Sequence, residues 1–374
     1  MKKTALLLLT IACVLCVILP STVFASTASS DSVFYQNITE TCFNRYTESL
    51  THKNIRTDAQ NTAQTSAQSA VVMEIKSGRV LFSKNADIRL PMASTTKIMT
   101  ALVAVELTDV NETVKIDNKA VGVEGSSIYL RQGETLTVKD LLYGLMLRSG
   151  NDCAVALAIH IGGSVEKFAE LMNAKAEFLV LQNTHFVNPH GLHDDNHYTS
   201  AYDLAIISCA AMKNPIFREI VSTKKITIGI GDSERLLINK NKLLYNYQNA
   251  CGVKTGYTKR AGRCFVGAAE NGTELVCVVL NCGPMFEETK NLLTIFQNEY
   301  ETRCIVPKNK ICLTQTKNGK KEFLICPKAF WYPLGENEIS KIEKEIVYDE
   351  NESCYIINVY LGKQLIFYQK LYTI

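Results

Sequence analysis

The chain has 374 residues, of which 40 are Lys or Arg and 37 are Asp or Glu, so its charge is close to neutral. It contains no polybasic run with interleaved aromatic residues, which argues against a nucleic-acid-binding protein. The length is too great for one small domain and allows a large core with a second module.

The first 25 residues have the pattern of a secretory signal peptide. Lys2 and Lys3 precede an apolar run over residues 5–19, Pro20 ends that run, and residues 23–25 offer the small residues that a signal peptidase requires. An uncleaved membrane anchor is the alternative, but the run is shorter than the roughly 20 residues that a spanning helix needs. We therefore predict an exported protein.

Residues 26–67 are rich in Ser, Thr, Asn and Gln and show no apolar period, so they predict a flexible spacer. Strand-like residues on both sides of a Gly-containing turn then predict a hairpin over residues 70–83. A second group of strands is predicted at residues 225–230, 250–255, 263–268 and 274–281. Helical segments fill the interval, so strands from both ends must share a sheet. This predicts an α+β domain over residues 68–300.

The pattern changes after residue 300. Short strand-like runs at residues 323–326, 344–348 and 355–360 alternate with Asn, Gly, Glu and Lys turns, which predicts a small β-rich domain over residues 301–374. The chain ends on a strand-like segment instead of an amphipathic helix that could lie on a bilayer.

The cysteines indicate neither a zinc site nor a dense disulfide framework. Of the 13 cysteines, 11 remain once Cys13 and Cys16 are removed with the signal peptide, and no Cys-x-x-Cys pair occurs among these 11. Cys264 and Cys277 lie in apolar strands and are expected to be buried thiols. Two bridges of undetermined pairing are possible among four C-terminal residues, Cys304, Cys312, Cys326 and Cys354.

Ser94 and Lys97 stand at the start of an apolar stretch, residues 98–105, which predicts a helix buried in the domain centre. A spacing of three places the two side chains on one helix face. The lysine can act as a base for the serine only if burial or a second cation, such as Lys254, lowers its pKa. The first turn also directs backbone N–H groups at charge developing on a substrate. In isolation, an N-capping serine followed by a solvated lysine is the commoner explanation of this motif.

A predicted amphipathic helix delivers Ser149 and Asn151 into the turn before the next helix. Thr137 and Asp140 have the spacing of a capping box at the start of that helix. Ser149 can relay protons to a leaving amine, and the Asn151 amide can bind the substrate backbone or hold Lys97. On local grounds alone, a turn in which Asn151 caps a helix is equally consistent.

Lys254, Thr255, Gly256 and Tyr257 open a strand-like segment in which Lys254 and Gly256 share a face. Gly256 leaves room for a peptide beside the strand, while Lys254 and Thr255 offer a positive charge and a donor for a terminal carboxylate. The Tyr257 N–H can complete an oxyanion hole with that of Ser94. An edge strand with an exposed lysine is the ordinary alternative, and the order of the three motifs argues against it.

The three motifs together resemble the signatures of the serine D-alanyl-D-alanine carboxypeptidases, the low-molecular-mass penicillin-binding proteins. The matching segments are residues 91–100 (PMASTTKIMT), 149–152 (SGND) and 254–258 (KTGYT). The segments between them, residues 183–192 and 198–205, are also similar to that family. The resemblance covers about residues 68–300.

The resemblance implies a β-lactamase/transpeptidase-like fold, an antiparallel sheet flanked by helices and followed by a small β-rich domain. It implies that Ser94 attacks the bond between the last two D-alanines of a peptidoglycan stem peptide, releases D-alanine and forms an acyl-enzyme that water hydrolyses. β-Lactams would acylate Ser94 as covalent inhibitors. The protein would act at the extracytoplasmic face of the membrane or in the cell wall. The missing C-terminal amphipathic helix leaves peripheral membrane association open.

Three other functions are compatible with parts of this sequence, and each lacks a feature that it requires. A class A β-lactamase needs a deacylating glutamate about 35 residues after the second motif, but residues 181–191 contain no acidic residue. A non-catalytic peptidoglycan-binding homologue would have lost some of the site residues, which are all intact. A metal enzyme is suggested only by loop histidines whose spacing puts no pair on one helix face, so we predict no metal or cofactor. These are His185, His190, His193 and His197.

Overall fold

The computed structural model of the protein describes residues 63–315 and 321–373, which belong to one compact unit. The predicted signal peptide, residues 1–25, and residues 26–62 of the predicted spacer lie outside the described residues.

The described elements divide into a mixed helix and strand region followed by a region of strands. The strands are β1 (Ser69–Glu74), β2 (Val80–Lys84), β3 (Thr113–Lys115), β4 (Thr135–Thr137), β5 (Lys225–Ile228), β6 (Arg235–Ile238), β7 (Ala250–Thr258), β8 (Gly262–Asn271), β9 (Thr273–Leu280), β10 (Tyr300–Val306), β11 (Ile311–Gln315), β12 (Lys321–Ile325), β13 (Phe330–Gly335), β14 (Ile342–Asp349), β15 (Cys354–Leu361) and β16 (Gln364–Thr373). The helices are α1 (Lys97–Leu107), α2 (Val138–Leu147), α3 (Asn151–Gly162), α4 (Val165–Phe178), α5 (Ala201–Met212), α6 (Pro215–Ser222), α7 (Leu243–Asn246) and α8 (Met285–Glu299).

The central sheet is antiparallel and has the strand order β2-β1-β9-β8-β7. β1 forms a hairpin with β2 and pairs with β9, from Ser69 opposite Leu280 to Glu74 opposite Leu275. Every residue of β9 is buried, because α8 packs on one face of the sheet and α5 on the other. The predicted hairpin and the sheet that closes late in the chain are confirmed.

α1 runs through the middle of the helical layer. Its residues from Lys97 to Ala104 are all buried, and it packs against α2, α3, α4, α5 and α6. α2 begins with a complete capping box: the Thr137 hydroxyl accepts the Asp140 N–H, and the Asp140 carboxylate accepts the Thr137 N–H. The buried central helix and the capped helix that precedes Ser149 both match the sequence analysis.

One predicted strand does not join the central sheet. β5 ends at Ile228 and pairs with β6 in a separate hairpin, with Lys225 opposite Ile238. Gly229 and Gly231 follow with φ angles of +75° and +60°, which turn the chain away from an extended path. The strand expected over residues 225–230 is therefore shorter and lies elsewhere.

The folded region begins before the predicted end of the spacer. Ala67 is fully buried in the core between the sheet and α8. Thr65 and Ser66 both donate hydrogen bonds to the Glu288 carboxylate on α8. The Glu288 carboxylate anchors this mostly polar segment by accepting these hydrogen bonds, so composition did not reveal it. The prediction of a flexible spacer is wrong for residues 63–67.

The β-rich C-terminal region is present as expected. β10 and β13 form a two-stranded ribbon, and the other strands form a sheet of order β11-β12-β16-β15-β14. The two share a separate apolar core, in which the Phe330 and Phe367 rings stack with centroids 4.2 Å apart. No helix within residues 63–315 and 321–373 is long and apolar enough to cross a membrane.

The possible C-terminal disulfides do not form. All four cysteines of this region are free thiols. Strand pairing puts another residue opposite each of the three half-buried ones: Cys304 faces Trp331, Cys312 faces Leu324 and Cys354 faces Asp349. Cys264 and Cys277 in the central sheet are fully buried thiols, as predicted.

A buried arginine fastens the C-terminal region to the first hairpin. Arg79 lies immediately before β2, the return strand of that hairpin, and has a fully buried side chain. Its guanidinium donates to the Pro333 carbonyl at 2.5 Å and to both carboxylate oxygens of Glu338 at 2.9 and 2.5 Å. It also lies 5.2 Å from the ring centroid of Tyr300 and 5.0 Å from that of Tyr332.

Candidate active site

Ser94 lies in a single 3-10 turn, Ala93–Thr96, that leads directly into α1. The hydroxyls of Thr95 and Thr96 are buried and close the turn by donating to the carbonyls of Met92 at 2.6 Å and Ala93 at 2.8 Å. Ser94 itself is half-buried. The turn thus presents one hydroxyl to solvent and fixes its neighbours by hydrogen bonds.

Lys97 is fully buried and contacts three oxygen atoms. Its Nζ lies 3.0 Å from Ser94 Oγ, 2.7 Å from Asn151 Oδ1 and 2.5 Å from the His190 carbonyl oxygen. Burial, followed by the nearby charge of Lys254, lowers the pKa of Lys97 well below its ordinary value. A neutral amine has two N–H bonds and one lone pair. The amide and the carbonyl accept the two N–H bonds, so the lone pair faces the Ser94 hydroxyl.

Asn151 is positioned by the loop that precedes β4. As the first residue of α3 it donates its Nδ2 to the Glu124 carbonyl at 2.5 Å and its backbone N–H to the Ser126 carbonyl at 2.7 Å. Gly125 between them adopts a φ of +96°, and a Cβ there would lie 2.7 Å from Asn151 Nδ2. The buried Asp152 carboxylate holds the next part of the loop by accepting from Ser127 Oγ and from the N–H groups of Ile128 and Leu130.

Ser149 occupies the sharp junction between α2 and α3. It has a φ of +65°, which is uncommon for a residue other than glycine, and it is 4 % exposed. Among the residues that the structure describes, its hydroxyl forms no hydrogen bond. The structure therefore places Ser149 two residues before Asn151 without linking it to Ser94, Lys97 or Lys254.

β7 is the edge strand of the central sheet and runs against the Ser94 turn. Lys254 and Gly256 share its buried face, as predicted. A Cβ at Gly256 would lie 3.1 Å from the backbone nitrogens of Ser94 and Thr95, so a side chain there would crowd the turn. Thr255 is half-buried, and Tyr257 is 65 % exposed.

Lys254 is the second buried lysine of the site. Its Nζ donates to the Thr255 carbonyl at 2.8 Å. Burial, and then the charge of Lys240, lowers its pKa from 10.5 to about 7. The charge of Lys254 lowers the pKa of Lys97, although the two residues are 157 positions apart in the sequence. The sequence analysis expected this effect.

Several contributors were not identified from the sequence. The acceptors at Glu124, Ser126 and His190 are backbone carbonyls, which leave no mark on residue type. Lys240 lies outside the three motifs, and its Nζ contacts Ser126 Oγ at 3.1 Å. Gly191 is the one sequence signal for the contact at His190. Its φ is +86°, and a Cβ there would lie only 2.0 Å from the Ala93 carbonyl oxygen, so this position requires glycine.

The loop histidines have individual partners. His197 is buried, with Nε2 2.7 Å from Thr96 Oγ1 and Nδ1 accepting the Val187 N–H at 3.1 Å. His185 Nδ1 lies 2.6 Å from the Asn196 carbonyl. Within the described part of the chain, no group of three His, Cys, Asp or Glu side chains could hold a metal ion.

The geometry provides a serine in contact with a buried lysine whose pKa is strongly lowered, a second buried lysine in the same site and an open strand edge. These parts suit acyl transfer, in which a nucleophile loses a proton as it attacks a carbonyl group. A model of the D-alanyl-D-alanine carboxypeptidase family, peptidase family S11, matches residues 55–283, more than half of the chain. The chain belongs to this family.

Individual carboxypeptidases agree with this assignment. The D-alanyl-D-alanine carboxypeptidase DacF of Bacillus subtilis is 35 % identical over 303 residues, 77 % of this chain and 78 % of that protein. DacA of Escherichia coli is 37 % identical over 267 residues, 67 % of this chain and 65 % of that protein. The crystal structure of penicillin binding protein 5 from Haemophilus influenzae superposes with a TM-score of 0.73 at 28 % identity, covering 84 % of this chain and 98 % of that chain. The family and fold inferred from the motifs are confirmed.

Proposed function

We propose that the protein removes the terminal D-alanine from peptidoglycan stem peptides ending in D-Ala-D-Ala. The observation that carries this proposal is the 3.0 Å contact between Ser94 Oγ and the Nζ of a lysine whose pKa is strongly lowered. Membership of the carboxypeptidase family and the names of its relatives supply the substrate class.

Ser94 Oγ attacks the carbonyl carbon between the two D-alanines, and its proton passes to the Lys97 amine. The N–H groups of Ser94 and Tyr257 form the oxyanion hole for the tetrahedral intermediate. The C–N bond then breaks, and Ser149 relays the proton to the leaving D-alanine nitrogen. Water attacks the resulting ester, with Lys97 as base, and restores the Ser94 hydroxyl. Asn151 holds Lys97 throughout.

The substrate peptide lies along the free edge of β7. Among the described strands β7 pairs only with β8, so its outer backbone groups are open to an added strand. Lys254 and Thr255 receive the terminal carboxylate of the substrate, which also restores the positive charge of Lys254 by stabilising its protonated form. Lys240 adds to the positive potential from its contact with Ser126.

The cellular setting is part of the same proposal. The signal-peptide pattern of residues 1–25 supports export to the cell wall, and the substrate is found there. Residues 68–300 would form the catalytic domain and residues 301–374 a separate β-domain, with peripheral membrane association as an open feature. β-Lactams would form a stable ester with Ser94, because residues 181–191 contain no acidic residue that could act as a class A deacylating glutamate.

The test uses protein without its first 25 residues and a pentapeptide that ends in D-Ala-D-Ala. The wild type should release D-alanine and become covalently labelled by fluorescent penicillin. Ser94→Ala should lose both activities, while the control Ser222→Ala, at the end of α6, should keep both. Retention of both activities by Ser94→Ala would overturn the proposal. Rapid loss of the label with hydrolysis of the penicillin would instead indicate a β-lactamase.

A further inference from the structure

A groove in the C-terminal β region is separate from the residues of the active site. It consists of two adjoining cavities with volumes of about 740 and 370 Å³. Glu301, Arg303, Leu334 and Ile339 line both cavities, so the two form one continuous depression across β10 and β13. The combined space is large enough for several sugar or amino-acid units.

Trp331 lies at one end of this groove and is the single tryptophan of the chain. It stands on β13 opposite Cys304, and half of its surface, 50 %, is exposed. Ile339 and Ile342 line the same cavity. An exposed indole beside aliphatic side chains offers a flat apolar face. Tryptophan has one of the largest apolar surfaces among the side chains, so covering this face with a ligand buries a large apolar area. This face suits a ligand with one apolar side.

The remaining lining residues are polar and carry both signs of charge. Glu301 pairs with Arg303 at 2.5 Å, and the Lys344 Nζ donates to the Ile305 carbonyl at 2.6 Å. The second cavity adds four exposed polar side chains, Asn271, Asn298, Glu299 and Glu336. Three carboxylates and two cations line the two cavities, so the groove has no positive field that would favour a polyanionic polymer or an anionic lipid. Carboxylates, amides and a guanidinium suit hydroxyl and acetamido groups instead.

We propose that this groove binds the glycan backbone of peptidoglycan, a neutral polymer of N-acetylated amino sugars. A sugar ring has one apolar face of C–H groups, which stacks on Trp331, and a rim of hydroxyls, which bind the polar side chains. This inference rests on the proposed function, in which the stem peptide is attached to that polymer. Binding the glycan would raise the effective concentration of stem peptides near Ser94 without changing the chemical step.

The single tryptophan makes binding directly measurable. Titration of the full mature protein with N-acetylglucosamine oligosaccharides, a neutral probe made of the same class of acetamido sugar, should change Trp331 fluorescence in a saturable manner. Sedimentation with insoluble chitin, the neutral polymer of that sugar, should be lost in Trp331→Ala. Tyr368→Ala, which removes another 50 % exposed aromatic from β16, should sediment like the wild type.

Activity assays separate this inference from the proposed function. Trp331→Ala should release D-alanine from a soluble pentapeptide at the wild-type rate but from intact peptidoglycan roughly tenfold more slowly. A flat fluorescence titration, or sedimentation of Trp331→Ala equal to that of the wild type, would overturn the glycan site. If glycan binding depends on Trp331 while the wild type releases no D-alanine, the site stands and the carboxypeptidase proposal fails. Equal binding to an anionic polymer such as polyphosphate would also contradict a neutral-glycan site.

Discussion

The active site and the junction with the C-terminal region both bury cations, but they treat the charge differently. Lys97 and Lys254 have only neutral oxygen atoms as hydrogen-bond partners, and burial lowers the pKa of both. Burial also opposes the charge of Arg79 at the junction, yet the hydrogen bond to Glu338 and the electrostatic effects of Tyr332, Glu338 and Tyr300 together outweigh this, and the pKa is raised. At Arg79 the carboxylate partner preserves the charge that connects two regions. Lys97 has no carboxylate partner, so burial drives it towards the neutral form that a base requires.

The largest expected effect follows from Lys97→Met. Without the amine, no group in contact with Ser94 Oγ can take its proton, so the rate of acylation should fall roughly 10²- to 10⁴-fold. The free energy of unfolding should change little, because methionine avoids the cost of burying an amine but leaves the Asn151 and His190 oxygens without their donor. Fluorescent penicillin labelling and urea denaturation measure the two quantities.

Lys175 provides the matched control for the loss of a buried lysine. It is 1 % exposed, but its Nζ donates to Glu106 at 2.8 Å. Lys175→Met should destabilise the protein by leaving Glu106 buried without its cation, and it should not change acylation per folded molecule. A Lys97→Met variant that still acylates at the wild-type rate would exclude Lys97 as the base.

The second effect is on stability at the junction. Arg79→Met leaves the Glu338 carboxylate and the Pro333 carbonyl without their donor, so the free energy of unfolding should fall by about 3 kcal/mol. This is the lower end of the range for broken buried pairs, since the Glu338 side chain is 20 % exposed. Activity per folded molecule should be unchanged. A loss of turnover without a loss of stability would show that the junction acts on the active site.

The two regions also differ in how far sequence could predict them. Spacing within the motifs and the apolar run after Ser94 were sufficient to predict the buried helix, the shared sheet and the side chains that meet at the site. Arg79 stands in a Gly-containing turn that looks solvent-exposed, and its partner Glu338 is 259 positions away. The carbonyls of Glu124 and His190 exist at every residue, so only the folded backbone shows that Asn151 and Lys97 use them.

A smaller effect should appear in the pH dependence of stability. The pKa of Lys254 is about 7 in the folded protein against 10.5 as reference. Between these values the unfolded chain binds a proton that the folded chain lacks, so the free energy of unfolding should rise with pH across this window, by at most about 1.4 kcal/mol per pH unit for one group. Below pH 7 this contribution becomes constant.

In Lys254→Met, the slope of the free energy of unfolding against pH should be smaller by the contribution of one titrating group. Urea denaturation at pH 7, 8 and 9 measures it for both proteins. Lys363→Met serves as the control because Lys363 is exposed in the turn between β15 and β16. Part of the slope should persist in Lys254→Met, since the pKa of Lys97 is lowered as well. Identical slopes in the wild type and in Lys254→Met would show that Lys254 is charged in both states.

The smallest effect tests how the Ser94 turn is held in place. Nδ1 of His197 accepts the Val187 N–H, so Nε2 carries the proton and donates to Thr96 Oγ1, which in turn donates to the Ala93 carbonyl. Burial, and then His190, lowers the pKa of His197 to about 3, so this tautomer persists at neutral pH. His197→Ala should lower kcat about tenfold, the equivalent of one hydrogen bond of roughly 1.4 kcal/mol, and leave KM unchanged.

The glutamine variant separates positioning from packing, because its side-chain amide can donate to Thr96 from nearly the same place as Nε2. His197→Gln should therefore recover most of the kcat lost in His197→Ala. Thr96→Val should lose as much as His197→Ala, and the double variant His197→Ala/Thr96→Val should lose no more than either, because all three break the same connection to the Ala93 turn. Losses that add in the double variant would mean that the two side chains support the fold independently. In that case the turn that presents Ser94 is fixed by its own backbone and by Gly191. The buried hydrogen bonds of Thr96 and His197 then contribute to stability alone.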